Sequence, residues 1–208
     1  LMNDYMFKAF LQENGEALKN LTAALMQMKE ADIKSAEITN TIVLGEAVDE
    51  KTVMLDVKLE MNDDTDIDLE MQVENEGDWP ERSMMYLCRE YAGIKRGKPY
   101  KNAKSTVQVG ILNFTPEGFP GRFFSNYYLF EEECGHLYSD KLNIRVLELN
   151  HINDRSQEDQ MPELYHWAEL FKAHTWEEVE AMVAEKKIDE GYVFTLRKLS
   201  DEEKVRQQ

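Results

Sequence analysis

Cysteine is scarce. The 208 residues contain two, Cys88 and Cys134, too few for a disulfide framework. That scarcity implies a reducing, hence cytoplasmic, compartment. The four histidines, His136, His151, His166 and His174, show no zinc-ligand spacing. No apolar run approaches the length of a membrane span, and no basic-then-apolar leader is visible, so no membrane partner is expected. There is no internal repeat, no low-complexity linker and no glycine-rich phosphate loop. No Ser-His-Asp or Cys-His arrangement can be built, because Ser83 and Cys88 fall in a plain helical stretch. Positive charge is also short: 24 basic residues face 41 acidic ones, for a net charge of −17. That excludes a simple electrostatic nucleic-acid binder. What is present is a core, since 42% apolar and 10% aromatic residues exclude a disordered chain.

The patterning predicts an α/β chain. Two helices open it, one capped by Asp4 and carrying Phe7, Phe10 and Leu11. The second runs over 16–29 with Leu18, Leu21, Leu25 and Met28 on one stripe. Ala36 to Gly45 is rich in strand formers. Residues 53–59 then alternate, and so do 67–73, around the turn signal Asn62-Asp63-Asp64. They read as a hairpin. A helix follows from Trp79-Pro80, with Met84, Met85, Leu87, Cys88, Tyr91 and Ile94 as its apolar positions and its end near Gly97. Three strands come next, over 105–114, 123–131 and 142–149. Helices over 161–172 and 176–186 close the chain, with a polar, fraying tail at 201–208. The helix between the hairpin and the strand at 105 predicts a crossover between two sheet strands.

The hairpin carries acids on one face. With the turn centred near Asp63, Asp56 falls opposite Glu70 with Cβ atoms ~5 Å apart. Gln72 sits one same-face step further. Two readings fit. Alternating acids can be a solvated face, and Asp63, Asp64, Asp66 and Asp68 fit that role. Alternatively, two close carboxylates repel unless a cation sits between them, and Mg²⁺ or Mn²⁺ takes such hard oxygens. A sheet covered by helices favours the second reading for Asp56, set mid-strand between Leu55 and Val57. Charge is also uneven. Residues 82–104 hold seven basic residues against one acid, a net of +6 that leaves −23 for the rest. This segment is either a phosphate-contacting patch or a helix C-terminus that favours cations.

Leu55-Asp56-Val57-Lys58 followed by Ile67-Asp68-Leu69-Glu70-Met71-Gln72-Val73 resembles the PD-(D/E)XK nuclease core. Within it, the chain is similar to the recombination-promoting (Rpn-type) nucleases, or PD-(D/E)XK nuclease family transposases. Asn3-Asp4-Tyr5-Met6-Phe7-Lys8, Pro80-Glu81-Arg82-Ser83-Met84-Met85-Tyr86, Val109-Gly110-Ile111-Leu112-Asn113-Phe114 and Leu164-Tyr165-His166-Trp167 extend the resemblance over most of the chain.

The resemblance implies a restriction-endonuclease-like mixed β-sheet flanked by helices, with a C-terminal β/helical extension. The core would be 1–150, and 151–208 a helical extension packed on the same domain. It implies a metal-dependent DNA endonuclease linked to recombination or mobile elements. Asp56 and Glu70 would hold Mg²⁺ or Mn²⁺, with the Met71 carbonyl as a further ligand. Gln72 takes the place of the motif lysine; it can orient water but adds no charge. Lys58, on the face of Asp56, is either a stand-in cation or an exposed strand lysine. Arg82, Tyr86, Lys95, Arg96 and Lys98 would meet DNA, and a homodimer would suit cleavage of both strands. The alternatives are a catalytically weak or inactive nuclease-fold binding module, and an acidic protein-interaction domain.

Overall fold

The computed structural model describes residues 3–33, 36–38, 57–61, 65–93 and 98–206. The described residues divide into two compact units. One is helical and holds 3–33 and 155–206; the other holds the sheet, from 36–38 and 57–154.

In the helical unit, α1 (Asp4–Glu13) is capped by Asn3, whose side chain accepts from the Met6 amide at 2.8 Å, rather than by the expected Asp4. Asn14 ends α1 and caps α2 (Gly15–Met26), accepting from the Ala17 amide at 2.9 Å. Further helices are α4 (Pro162–Lys172), α5 (Trp176–Ala184) and α6 (Glu190–Arg206). Thr175 and Glu178 form a reciprocal capping box at the start of α5. Trp167 anchors this core: its ring stacks on Tyr192 at 5.4 Å and packs on Phe10 and Phe171. Its indole N–H donates to Asn20 at 2.8 Å, which satisfies the one polar atom that burial would otherwise strand. Helix α6, whose Tyr192, Val193, Leu196 and Leu199 are buried at helical spacing, runs on through residues 201–206 of the polar tail, while 207–208 lie outside the described residues.

The sheet unit contains β1 (Ala36–Ile38), β2 (Val57–Met61), β3 (Thr65–Gln72), β4 (Ser105–Leu112), β5 (Phe124–Phe130) and β6 (Leu137–Glu148). They form one mixed sheet in the order β1-β2-β3-β4-β6-β5. The β2–β3 hairpin is antiparallel, with Val57 opposite Leu69 and Lys58 opposite Asp68, the register the sequence implies. The β3–β4 pair is parallel, and α3 (Trp79–Tyr91) lies in the connection between them, as the crossover reading requires. Strand β6 begins earlier than expected, extending a hairpin with β5 to the turn at Gly135.

The two faces of this sheet differ. Across β2, β3 and β4 one face is apolar and buried, carrying Val57, Leu59, Ile67, Leu69, Met71, Val107, Val109 and Ile111, while Thr65 at the start of β3 and Asn143 and Arg145 on β6 add buried polar groups to it. The opposite face carries α3, which packs on β3, β4 and β6. Under the start of α3 this face is apolar too: Trp79, Leu112 and Val146 form a cluster with Phe114, Phe119, Tyr127 and Ile144 around it. Towards β2 it turns polar, with Asp68, Glu70, Gln72, Thr106 and Gln108 all buried. The solvated reading of Asp68 is therefore overturned: it is 3% exposed. Alternation reports which residues share a face, but not what covers it. For the same reason Met84 and Met85, expected on the apolar side of α3, are exposed. The buried helix positions are Trp79, Ser83 and Leu87, spaced four apart.

Candidate active site

Glu70 lies on the central strand β3 and is only 6% exposed. A carboxylate there is expensive to desolvate unless a cation or donor meets it. The cation is Arg82, one turn into α3, whose guanidinium reaches the Glu70 Oε1 at 2.8 Å. Arg82 also lies 3.4 Å from the Glu76 carboxylate and 5.6 Å over the Tyr86 ring. Burial draws the Arg82 pKa down, but Glu70 foremost, with Tyr86, Asp78 and Glu76, outweighs it and leaves the pKa raised. Arg82 is thus brought against the acid face with Tyr86, one turn on, under its guanidinium, and Arg89 lies over the same ring at 5.6 Å.

Helix α3 is held close by a position without a side chain. Gly110 on β4 is the register partner of Glu70. A Cβ built there would lie 2.2 Å from the Trp79 ring, so only glycine lets α3 settle at this depth. Trp79 over Gly110, Arg82 at Glu70, and Glu90 bonded to Lys58 mark the path of α3 across the sheet. Lys58 therefore stands on the expected face, engaged with Glu90.

Gln72 is buried on the same face of β3, and its Oε1 accepts no hydrogen bond among the described residues. Its backbone carbonyl accepts from the Asn113 amide at 3.1 Å. The Met71 side chain is buried on the opposite face, so only its backbone can serve this one. Of the basic segment, Lys98 is exposed, while Lys104 is paired with Asp66 at 3.2 Å. Asp56, Lys95 and Arg96 lie outside the described residues.

These donors suit a hard cation. The Glu70 carboxylate and the partnerless Gln72 amide oxygen face the same way from one strand, and both are oxygen ligands of the kind Mg²⁺ and Mn²⁺ take. Among the described residues, no three or more His, Cys, Asp and Glu side chains are grouped to share a metal ion.

A further buried acid was missed in the sequence. Glu148, at the end of β6, is 0% exposed. Its Oε2 accepts from the Thr115 hydroxyl at 2.6 Å, and its Oε1 lies 3.4 Å from the Arg122 amide. The Thr115 oxygen also meets His151 Nε2 at 2.8 Å and accepts from the Asn150 amide at 3.0 Å. Threonine, not histidine, stands in the middle, and its one proton goes to the carboxylate. This is a staple between the β4–β5 loop and the end of β6, not a nucleophile–base pair. Its members lie far apart in sequence, so no local spacing signals it.

A mixed sheet with a crossover helix clamping a buried Glu-x-Gln strand is consistent with the restriction-endonuclease-like α/β fold of PD-(D/E)XK nucleases. The family model described as "PD-(D/E)XK nuclease family transposase" matches residues 1–208, and the chain belongs to that family. It is thus of PD-(D/E)XK nuclease type, a class that implies DNA as substrate and generally uses divalent metal ions. No curated protein and no solved structure matches the chain. Among the described residues, no helix is long and apolar enough to cross a membrane.

Proposed function

We propose that this protein is a metal-dependent DNA endonuclease acting in recombination or the movement of mobile elements. The observation that carries the reading is the buried Glu70 on β3, with Gln72 beside it and Arg82 clamped across it. Asp56 and Glu70 hold Mg²⁺ or Mn²⁺, with the Met71 carbonyl as a further ligand. The ion, when bound, offsets charge on the scissile phosphate and helps make the attacking hydroxide. Gln72 orients the attacking water or a phosphate oxygen through its amide. Glutamine supplies no charge, so the cationic help that a lysine would give falls to Arg82 and Lys58. Arg82 in turn holds the Glu70 rotamer. Tyr86 supports Arg82, and Lys95, Arg96 and Lys98 meet the DNA backbone. The protein works in the cytoplasm, and cleavage of both strands uses a homodimer.

The test is cleavage of supercoiled plasmid by the purified protein with Mg²⁺ or Mn²⁺. EDTA, Asp56→Ala and Glu70→Ala are the controls. Cleavage that needs the ion and both carboxylates is expected. Failure of the wild type on supercoiled, linear and single-stranded DNA across both ions and a range of salt would sink the reading. A protein that then still bound DNA would be a nuclease-fold binding module, and one that bound none an acidic protein-interaction domain.

A further inference from the structure

The helical unit holds a cleft that the nuclease reading does not use. It lies among α2, Glu30 beyond it, and the turn between α5 and α6, and its volume is about 580 Å³. That falls in the range of ~300–1,000 Å³ usual for small-molecule sites. Four acids line it: Glu16, Glu30, Asp189 and Glu190. Two lysines line it as well, but Lys187 is tied to Glu169 at 2.9 Å and to Glu185 at 3.0 Å, which leaves Lys186. Glu30 accepts from Asn20 at 3.2 Å and lies a loose 3.9 Å from Lys19.

Acids around a cleft are ordinary surface, but Tyr192 among them is not. It is 7% exposed, with its ring stacked on Trp167 and set edge-on to Phe10. Its hydroxyl nevertheless makes no hydrogen bond among the described residues. Burial, then the carboxylates of Glu30, Asp189 and Glu16, push its pKa up to about 12, so at neutral pH it is a neutral phenol facing three acids of the cleft. An aromatic core that grips the ring fixes where the hydroxyl points. The result is a preset donor and acceptor in an acidic wall.

Charge decides the class of ligand. Helix α5 ends at the cleft, where Val183 and Lys186 line it, and a helix C-terminus favours positive charge. The start of α6 has the opposite sign, but the Asp189 carboxylate answers it by accepting from the Gly191 amide at 2.7 Å. The cation is not a metal ion, because among the described residues no three or more His, Cys, Asp and Glu side chains are grouped to hold one. Acids spread around a cleft suit a ligand that spreads its own charge, as several ammonium groups on one flexible chain do.

We propose that this cleft binds a linear polyamine, with the Tyr192 hydroxyl accepting from one ammonium group and the carboxylates of Glu16, Glu30 and Glu190 pairing with the others. The site is independent of whether the chain cleaves DNA.

The experiment is calorimetric titration of the full chain with spermine at physiological salt. A chain of net charge −17 attracts any polycation, so the deciding variant leaves charge alone. Tyr192→Phe keeps the ring and removes only the hydroxyl. It is expected to melt close to wild type without spermine and to bind spermine about 10-fold more weakly. Glu30→Gln keeps an acceptor for Asn20 and removes one charge, and about 5-fold weaker binding is expected. Spermine affinity unchanged in Tyr192→Phe would overturn the proposal, since it would mark a diffuse counterion. No saturable binding to the wild type would overturn it too. An oligolysine peptide that bound more tightly than spermine would overturn the assignment to a free polyamine. Should Tyr192→Phe melt well below wild type, Glu30→Gln decides, and unchanged affinity there overturns the proposal.

Discussion

The sheet unit buries two glutamates in different ways. Glu148 is met by a hydroxyl at 2.6 Å, with a backbone amide and a histidine nearby, and the hydroxyl at its centre is itself fully used. Glu70 is met by an arginine at 2.8 Å, but its neighbours Gln72 and Gln108 and the Trp79 indole keep buried polar atoms without partners among the described residues. A satisfied network rigidifies a fold, and a partly satisfied one is tolerated where something else is to be bound. Burial alone marks neither kind. What separates a staple from a site is the bookkeeping of the groups around the acid.

Four substitutions test that contrast. Gly110→Ala should be the most damaging, about 3 kcal/mol in urea denaturation, because the buried Trp79 ring must leave its seat. It shows that the apolar seating of α3 over the site is tight even though its polar half is not. A change below about 0.5 kcal/mol would mean that the Trp79 ring has room to retreat. Glu148→Gln should cost about 2 kcal/mol, since the new amide turns an N–H towards groups that donate. Thr115→Val should cost about 1.5 kcal/mol by removing the hydroxyl that meets Glu148, His151 and Asn150. Glu70→Gln should be the mildest, about 1 kcal/mol in the same assay, since the weakened Arg82 bond is partly offset by no longer burying a charge, yet lower metal-dependent plasmid cleavage on the order of 100-fold. Equal stability losses for Glu70→Gln and Glu148→Gln would erase the distinction. Matched losses of cleavage from both would move Glu148 into the site.

Much of this was legible beforehand. The hairpin register follows from period-two alternation, and the crossover from Trp79-Pro80 opening a helix between two apolar strands. The Glu70, Gln72 and Arg82 grouping was legible only with the family pattern in hand, since spacing alone left the solvated face open. Asp68 and the methionines of α3 were misassigned for one shared reason. A pattern names the members of a face, while burial depends on where the chain later lays a helix. Helix α6 was missed because its four buried residues are diluted by a mostly polar stretch. The Glu148 staple joins Thr115 to Glu148 and His151, more than thirty positions apart.

Helix α3 is at once the roof of the acid face and the chain's passage from β3 to β4. Its start is the short tether: only residues 73–78 separate Gln72 from Trp79, whose ring sits over Gly110. Lifting that end away from the sheet therefore pulls on the end of β3. Amide exchange at Met71 and Gln72 would then keep time with exposure of the Glu70 side chain, and deuterium uptake there would serve as a clock for access.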